Sequence, residues 1–261
     1  MNLELDGNVA LCTAASSGLG LASAESLARE GAHVALCGRT DDHLESAAEQ
    51  VRAAGDGRVL AMRADITDST HIKAFVEHTA DEFGGIDHVV TSAGGPPSGP
   101  FTAMDDRDWY QAYDLLVMSA VWTLRESYPH LDASDAGTAV AITSRTVQEV
   151  ADDLILSNAV RRAVVGLVKT LAREFAPAVR INTVLPGAHE TARIQELIEA
   201  AVERGDVPDY DAGYAEWAAD VPLERIGDPD ELGDVVAFLS SERASYVNGA
   251  AIPVDGGSLR S

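Results

Sequence analysis

Residues 9–20 have the sequence Val-Ala-Leu-Cys-Thr-Ala-Ala-Ser-Ser-Gly-Leu-Gly, and this stretch decides the fold. A short apolar run typical of a β-strand passes through a turn of small residues into residues 19–30, which have helical spacing. Glycines at such a turn let backbone N–H groups approach a pyrophosphate, and the helix N-terminus adds a field that favours anions. In this context the stretch predicts a dinucleotide-binding loop.

The same alternation of apolar runs and amphipathic stretches continues along the whole chain. We predict strands at residues 9–13, 33–37, 59–63, 88–91, 139–143, 180–184 and 251–254, and helices at 19–30, 43–53, 68–83, 106–128, 155–175 and 230–239. Strands that alternate with helices indicate a parallel sheet covered on both faces, a Rossmann-type doubly wound α/β fold. We expect one domain over residues 1–261. Residues 188–221 follow the sixth strand, where such sheets bind ligands, and we interpret them as a substrate lid.

The composition is strongly acidic, with 42 Asp and Glu residues against 19 Lys and Arg, for a net charge of −23. The acids are spread along the predicted helices, and Lys73 and Lys169 are the chain's two lysines. This pattern indicates a solvated acidic surface that repels nucleic acid and anionic membranes, and it resembles proteins of salt-accumulating halophiles. Without a signal-peptide pattern or an apolar run long enough to cross a membrane, we expect a cytoplasmic protein.

The two cysteines, Cys12 and Cys37, both lie in predicted strands. We interpret them as buried thiols of a reducing compartment rather than as a disulfide or metal-binding pair. No cluster of Cys and His residues has the spacing of a metal site, and we predict none.

Five motifs distributed over the whole chain resemble those of the short-chain dehydrogenase/reductase family. They lie at residues 13–20 (Thr-Gly-x-x-x-Gly-x-Gly in the family, with Ala14 replacing the first glycine), 64–66, 91–94, 180–187 and 254–257. The resemblance implies that a nicotinamide dinucleotide is held by residues of these motifs and two others. They are Thr13, Ser16, Ser17, Gly18, Leu19, Gly20, Arg39, Asp65, Ile66, Ala93, Gly94, Arg161, Pro186 and Gly187.

The end of the second strand indicates which dinucleotide is preferred. An NAD enzyme usually presents an acidic residue there to bind the ribose 2′-hydroxyl, whereas this chain has Gly38 and Arg39. The planar guanidinium of Arg39 suits a 2′-phosphate, so we predict NADP(H) rather than NAD(H). An Arg39 that only stacks on the adenine or faces solvent is the alternative.

The resemblance also shows which catalytic groups of the family have been replaced. The family uses a Tyr-x-x-x-Lys pair, an upstream serine and an asparagine. The tyrosine protonates the carbonyl oxygen as hydride arrives, and the lysine lowers the pKa of the tyrosine. Here the tyrosine position is Ser157, the lysine position Arg161 and the asparagine position Leu116, whereas Ser144 is retained thirteen residues before Ser157. No tyrosine lies between residues 144 and 161, so no small shift of register restores the pair.

Three functions are compatible with this set of residues. The first, which we favour, is an NADP(H)-dependent oxidoreductase that acts on a carbonyl, an alcohol or a conjugated enone through Ser144, Ser157 and Arg161. Residues 156–161 then resemble a subgroup of β-ketoacyl reductases with Leu-Ser-Asn-x-x-Arg at this place. The second is a cofactor-binding protein without turnover, and the third is a non-redox reaction, such as a lyase step, on the same scaffold.

Three further residues near the predicted site have less specific signals. His189 follows Pro186-Gly187 and could supply a proton at neutral pH, although a histidine at such a place is more often a surface loop residue. Asp152 and Asp153 precede Ser157, and we expect them to face solvent.

The resemblance implies assembly through the helices that follow strands four and five. These helices carry apolar residues that a lone chain would leave partly exposed. They are Leu115, Val121 and Leu124 on one helix, and Val160, Val164, Leu167 and Leu171 on the other. We expect a homotetramer, with a dimer as the next choice, that acts on a small-molecule substrate.

The net charge predicts that salt stabilises the fold. The Debye length falls from about 30 Å at 0.01 M salt to about 3 Å at 1 M, so repulsion among the acidic groups is screened only at high salt. We expect the melting temperature, followed by circular dichroism, to rise steeply between these concentrations. A melting temperature that does not change with salt would mean that the acidic surface serves solubility alone.

Overall fold

Seven parallel strands form one sheet in the order β3-β2-β1-β4-β5-β6-β7 in the computed structural model, which describes residues 2–260. The strands are β1 (Val9–Cys12), β2 (His33–Gly38), β3 (Val59–Arg63), β4 (His88–Thr91), β5 (Thr138–Ile142), β6 (Arg180–Pro186) and β7 (Ala251–Val254). The helices are α1 (Gly18–Arg29), α2 (Asp41–Ala54), α3 (Ser69–Phe83), α4 (Asp106–Tyr113), α5 (Ser119–Ala133), α6 (Ile155–Glu174), α7 (Ala192–Arg204), α8 (Tyr210–Ala219) and α9 (Pro229–Ser240). The predicted doubly wound α/β fold is therefore confirmed.

The central strands are apolar along their whole length because helices cover both faces of the sheet. Successive side chains of β1 point to opposite faces, so Leu11 joins one hydrophobic core and Ala10 and Cys12 join the other. Helices α3, α5 and α6 supply the first core, and helices α1, α2 and α9 supply the second. The continuous apolar runs of the sequence follow from this two-sided burial.

The strand order reverses its direction at β1, which lies between β2 and β4. The connections from β1 to β2 and from β4 to β5 therefore leave the sheet on opposite sides, and a crevice opens where they diverge. The loops that follow β1, β4, β5 and β6 all meet at this edge of the sheet.

The predicted helix at residues 106–128 is divided in the structure. After α4, residues Asp114–Met118 form a π-helical segment, and α5 then runs to Ala133. An extra residue in one turn cannot be seen in the spacing of apolar residues, which is why the sequence predicted one continuous helix. The π-helical segment contains Leu116, the residue that the sequence predicts at the family's asparagine position.

The apolar residues expected at subunit interfaces divide into two groups. Leu124, Val160 and Val164 are buried within the chain itself, in the core beneath α5 and α6. The expectation that a lone chain leaves them partly exposed was wrong, because the two helices pack on the sheet through these side chains. Leu115, Val121, Leu167 and Leu171 are partly exposed, and the last three of them line a shallow groove between α5 and α6. The homotetramer stays a prediction.

Both cysteines are buried free thiols, and burial raises the pKa of each, for Cys37 to about 12. Within residues 2–260, no helix is long and apolar enough to cross a membrane. The same residues contain no group of three or more His, Cys, Asp or Glu side chains arranged to hold a metal ion.

A buried histidine on β4 forms hydrogen bonds to residues of the two neighbouring strand segments, one just before β1 and one on β5. His88 on β4 is fully buried, with its Nε2 2.9 Å from Nδ2 of Asn8 and its Nδ1 2.8 Å from Oγ1 of Thr138. A neutral ring accepts a hydrogen bond from Asn8 and donates one to Thr138, whereas a charged ring cannot accept. Burial, against the opposing effect of Asp87 and with a smaller contribution from the charge of Arg180, lowers the pKa of His88 to about 4.

We expect acid to destabilise the fold through His88. An unfolded histidine has a pKa near 6.5, so between about pH 6.5 and pH 4 the unfolded chain binds more protons than the folded one. The free energy of unfolding should fall as the pH decreases through this window, by about 3 kcal/mol for this residue. Urea unfolding at pH 7 and pH 5 would measure about 2 kcal/mol of this fall. The fall should be smaller in His88→Gln and unchanged in His43→Gln, whose histidine is exposed. An equal fall in the free energy of unfolding in the wild-type protein and in His88→Gln would show that His88 does not cause the acid destabilisation.

Candidate active site

A cleft of about 570 Å³ lies at the carboxyl edge of the sheet. Its walls come from the loops after β1, β4, β5 and β6, together with parts of α6, α7 and α8 and the start of α9. Of the predicted site residues, those that line the cleft are Ser17, Gly18, Leu19, Gly20, Ala93, Gly94, Ser144, Ser157, Arg161, Pro186 and Gly187. The structure therefore brings together residues that are far apart in the sequence.

The loop after β1 leaves no room for a side chain at Gly20, where it turns into α1. A Cβ at Gly20 would lie 2.8 Å from the carbonyl oxygen of Ala14, and Gly18 has a φ of +57°. Ala14 itself has a φ of +46°, in the left-handed region that glycine enters most easily, which explains the glycine found here in the family motif. The side chain of Ser17 makes no capping hydrogen bond, so the first N–H groups of α1 stay available to an anion. This geometry fits a pyrophosphate.

Thr13 has a positioning role beneath this loop. Thr13 is buried and does not line the cleft. Its hydroxyl accepts a hydrogen bond from the N–H of Ser92 at 3.0 Å and donates one to the carbonyl oxygen of Ser92 at 3.1 Å. These bonds fix the loop after β1 against the loop after β4, which carries Ala93 and Gly94.

A second group of predicted residues lies beside the cleft, at the ends of β2 and β3. Ser16 packs against Gly38, where a Cβ would lie 2.7 Å from the serine side chain. Arg39 is exposed, and its carbonyl oxygen accepts a hydrogen bond from Arg63 at 3.1 Å. The side chain of Arg63, which also lies 3.7 Å from the carboxylate of Asp41, is therefore close to the backbone of Arg39, where the 2′ position of a bound dinucleotide is expected.

Asp65 and Ile66 complete this second group. Burial alone would raise the pKa of Asp65, but two hydrogen bonds from Thr67 and the charge of Arg39 hold it below its usual range. Asp65 is therefore a carboxylate at neutral pH, and the adjacent Ile66 is a buried apolar residue.

Three hydroxyl groups meet at the other end of the cleft. Ser144 follows β5 and caps a short 3-10 helix, where its Oγ accepts a hydrogen bond from the N–H of Thr146 at 3.2 Å. Oγ1 of Thr146 lies 3.2 Å from Oγ of Ser157, which is buried in the first turns of α6. Because Oγ of Ser144 accepts this bond, its own proton is free to be donated to a ligand. Thr146 was not among the predicted site residues, although it lies only two residues after Ser144.

Arg161 lies one helical turn after Ser157 and is 8% exposed. Its Nη1 donates to the carbonyl oxygen of Thr143 at 3.1 Å and its Nη2 to that of Gly94 at 3.2 Å, whereas its Nε has no hydrogen-bond partner among the described residues. Burial, followed by the charge of Arg193, lowers the pKa of Arg161 to about 10. The side chain stays charged at neutral pH and cannot shuttle a proton.

Four further residues singled out in the sequence differ in how deeply they are buried. Leu116, which was predicted at the family's asparagine position, is buried and lines a small cavity beside Arg161. Asp152 and Asp153 are exposed, as expected. His189 lines the cleft but is buried, so the expectation of a surface loop residue was wrong. Burial lowers its pKa, which favours a neutral ring that is a poor acid at neutral pH.

The cleft also contains residues that the sequence analysis did not identify. Thr191 packs against Gly18 and lies four residues after Gly187, a spacing that could have singled it out. Arg145 follows Ser144, and Arg193 is in the first turn of α7. No local pattern distinguishes these two arginines from surface residues, because the folded chain alone brings them to the cleft.

Comparisons with known proteins agree with this geometry. The sequence profile of the enoyl-(acyl carrier protein) reductase family matches residues 13–258. The oxidoreductase UcpA of Salmonella typhimurium is 33% identical over 258 residues, which cover 98% of this chain and 95% of that protein.

Two solved structures are also similar over nearly the whole chain. L-sorbose reductase of Gluconobacter frateurii, solved with NADPH and L-sorbose, has 32% identity, a TM-score of 0.94 and full coverage of both chains. A short-chain oxidoreductase of Pseudomonas aeruginosa PAO1, described as containing an atypical catalytic centre, has 31% identity and a TM-score of 0.89, covering 97% of this chain and 98% of that one. The Pseudomonas protein has also been solved with NADPH bound. Together with the sheet order and the motifs, these similarities show that the chain belongs to the short-chain dehydrogenase/reductase family, whose members include oxidoreductases.

Proposed function

We propose that the protein is an NADP(H)-dependent oxidoreductase with an atypical catalytic site, in which Ser144 is kept from the usual tetrad and Ser157 and Arg161 take the places of its tyrosine and lysine. Its substrate is a carbonyl compound, the corresponding alcohol or a conjugated enone. The observation that carries the proposal is the group of hydroxyls formed by Ser144, Thr146 and Ser157, with the charge of Arg161 beside it, in a cleft that also contains a dinucleotide loop. A relative with an atypical catalytic centre that binds NADPH supports it.

The chain's own residues fit the cofactor. The free N–H groups at the start of α1 would hold the pyrophosphate, and Arg39, with Arg63 beside it, would hold the 2′-phosphate. Pro186 and Gly187 would border the nicotinamide, with Thr191 beside them. When bound, a nicotinamide supplies hydride to the substrate carbon or accepts it.

Ser144 is the group placed to bind the substrate oxygen. Its free proton can be donated to a carbonyl oxygen, and that hydrogen bond strengthens as negative charge develops on the oxygen. The fixed positive charge of Arg161 stabilises the negative charge that develops on the substrate oxygen, and it does so without transferring a proton. Burial among apolar groups increases the effect of both.

Proton delivery must differ from that of the rest of the family. A serine hydroxyl is a much weaker acid than a phenol, so Ser157 cannot release a proton outright. The contact between Ser157 and Thr146 instead forms a pair of hydroxyls through which a water molecule can pass a proton toward the substrate oxygen. In carbonyl reduction, the carbon gains hydride, the C=O π bond breaks, and this proton completes the hydroxyl group.

Helices α7 and α8 would form the lid over the substrate. Ile194, Leu197 and Trp217 line the cleft from these helices and give it an apolar wall. The hydroxyl of Tyr214 on α8 donates a hydrogen bond to Glu190 in the loop before α7, which ties the two ends of the lid together.

Binding of the cofactor without turnover is the alternative function. It is favoured by the apolar Leu116 beside Arg161, because this side chain removes the polar group that the family uses there. NADPH oxidation against a panel of carbonyls and enones in high salt separates the two functions.

We expect NADPH to bind at least about tenfold tighter than NADH, a difference of about 1.4 kcal/mol, because Arg39 can bind the 2′-phosphate. Fluorescence titration would give the two dissociation constants. Arg39→Gln should remove most of the difference, whereas Arg52→Gln, which removes an exposed arginine of α2, should preserve it. Equal affinities in the wild-type protein would contradict the cofactor assignment.

We expect Ser144→Ala to lower kcat/KM by about 10²–10³, the usual cost of removing one hydrogen-bond donor to a developing oxyanion. Ser157→Ala should cost less if water delivers the proton, and Arg161→Ala should raise KM more than it lowers kcat. Ser46→Ala, on the exposed face of α2, is the control. Steady-state kinetics on any substrate that turns over measures all four variants. Full activity in Ser144→Ala would show that the site is assigned wrongly.

A further inference from the structure

Three arginines line the reaction end of the cleft in a chain whose net charge is −23. Arg145 comes from the loop after β5, Arg161 from α6 and Arg193 from α7. Three separate elements therefore bring positive charge to one place, on a surface that is otherwise strongly acidic.

These arginines are poorly neutralised by the protein. Among residues 2–260, no carboxylate lies within 4 Å of Arg145 or Arg161, and the side chain of Arg145 makes no hydrogen bond although it is partly buried. Arg193 donates to the carbonyl oxygen of Pro96 at 3.2 Å and pairs with the exposed Glu196 at 3.3 Å. Arg161 and Arg193 also repel each other, which contributes to the lowered pKa of Arg161.

The acidic residues of the cleft lie elsewhere or already have partners. Glu25 belongs to α1, and Asp228 and Asp230 lie at the start of α9, which packs against α1. Asp230 pairs with Arg29 at 2.7 Å, and Glu190 accepts the hydroxyl of Tyr214. The cleft is thus divided into an acidic side next to α1 and α9 and a basic side next to Ser144.

Uncompensated positive charge beside apolar walls is costly unless a ligand supplies the counter-charge. The phosphates of a dinucleotide are one source, but the N-terminus of α1 already offers them a site. Arg145 directly follows Ser144, the residue proposed to bind the substrate oxygen. An anion held by Arg145 would therefore be part of the substrate.

We infer that Arg145 and Arg193 form a carboxylate-binding subsite, so that the substrate is a keto acid or its hydroxy acid. This inference rests on the proposed oxidoreductase function for the role of Ser144. The guanidinium groups bind the carboxylate through charge-assisted hydrogen bonds, and Arg161 adds to the positive potential. The apolar wall of Ile194, Leu197 and Trp217 packs against the carbon chain between carboxylate and carbonyl.

The experiment compares acids with their neutral methyl esters. The probes are 3-oxobutanoate, 4-oxopentanoate and 5-oxohexanoate, which vary the distance between carbonyl and carboxylate, each with its methyl ester. NADPH oxidation gives kcat/KM for every probe. Calorimetric titration of the same probes into the protein saturated with NADP⁺, where no reduction can occur, gives the dissociation constants independently of turnover.

We expect at least one acid to exceed its ester about tenfold or more in kcat/KM and in affinity. Arg145→Gln and Arg193→Gln should each remove most of that preference while they change the ester by less than about twofold. Arg162→Gln is the matched control, because Arg162 is the exposed neighbour of Arg161, lies outside the cleft and carries the same charge.

The possible outcomes separate this inference from the proposed function. Turnover of acids and esters without preference overturns the subsite and leaves the oxidoreductase function intact. Binding of an acid that depends on Arg145, without oxidation of NADPH by any probe, supports the subsite and contradicts the oxidoreductase function. The subsite is also overturned if no acid binds, or if the two arginine variants weaken NADPH binding instead of acid preference.

Discussion

The close approach between the loop after β1 and the start of α1 is the constraint on which the rest of the structure depends. At Gly20 a single added carbon would lie 2.8 Å from the backbone of Ala14, so the turn can close only around small residues. The turn sets the position and direction of α1, which packs against α2 and α9 and covers one face of the sheet. It also leaves the first N–H groups of α1 facing the crevice where the strand order reverses. The close approach at Gly20 therefore determines how α1 packs on the sheet, and it also leaves the first N–H groups of α1 available to an anion.

The reaction end depends on a different kind of contact, made by side chains to backbone. Thr13 fixes the loop after β1 to the loop after β4 through Ser92. Arg161 then joins the loop after β4 to the loop after β5 through Gly94 and Thr143. Three of the loops that form the cleft are thus fixed to one another by two polar residues. The positions of Ser144 and Thr146 follow from this connection, because both lie just after Thr143.

Much of the fold could be predicted from the sequence because burial leaves a strong periodic pattern. Strands covered on both faces have continuous apolar runs, and their ends were located to within one or two residues. The π-helical segment at Asp114–Met118 was not predicted, since one extra residue in a turn leaves no signal in the spacing. Leu124 and Val164 were placed at an interface although they pack on the sheet, because an apolar face does not indicate what covers it.

The candidate site could be predicted only where a motif gave the register. Spacing identified Ser144, Ser157 and Arg161, and these three line the same cleft. Arg145 and Arg193 could not be predicted, because they are 48 positions apart and belong to no motif. The burial of His189 was missed for the same reason: its neighbour Gly227 comes from a distant segment of the chain.

The two backbone contacts of Arg161 affect how this site can change in evolution. A lysine, the family's usual residue, has one terminal nitrogen, whereas two nitrogens of the guanidinium now hold Thr143 and Gly94. Replacing Arg161 alone would leave a buried carbonyl oxygen without its donor, and replacing Ser157 alone would put a phenol beside a cation already engaged with the backbone. Installing the family's usual pair of residues would therefore require both positions to change together. Arg161 is thus part of the framework that joins two loops as well as a residue of the cleft, so a change at this position alters both.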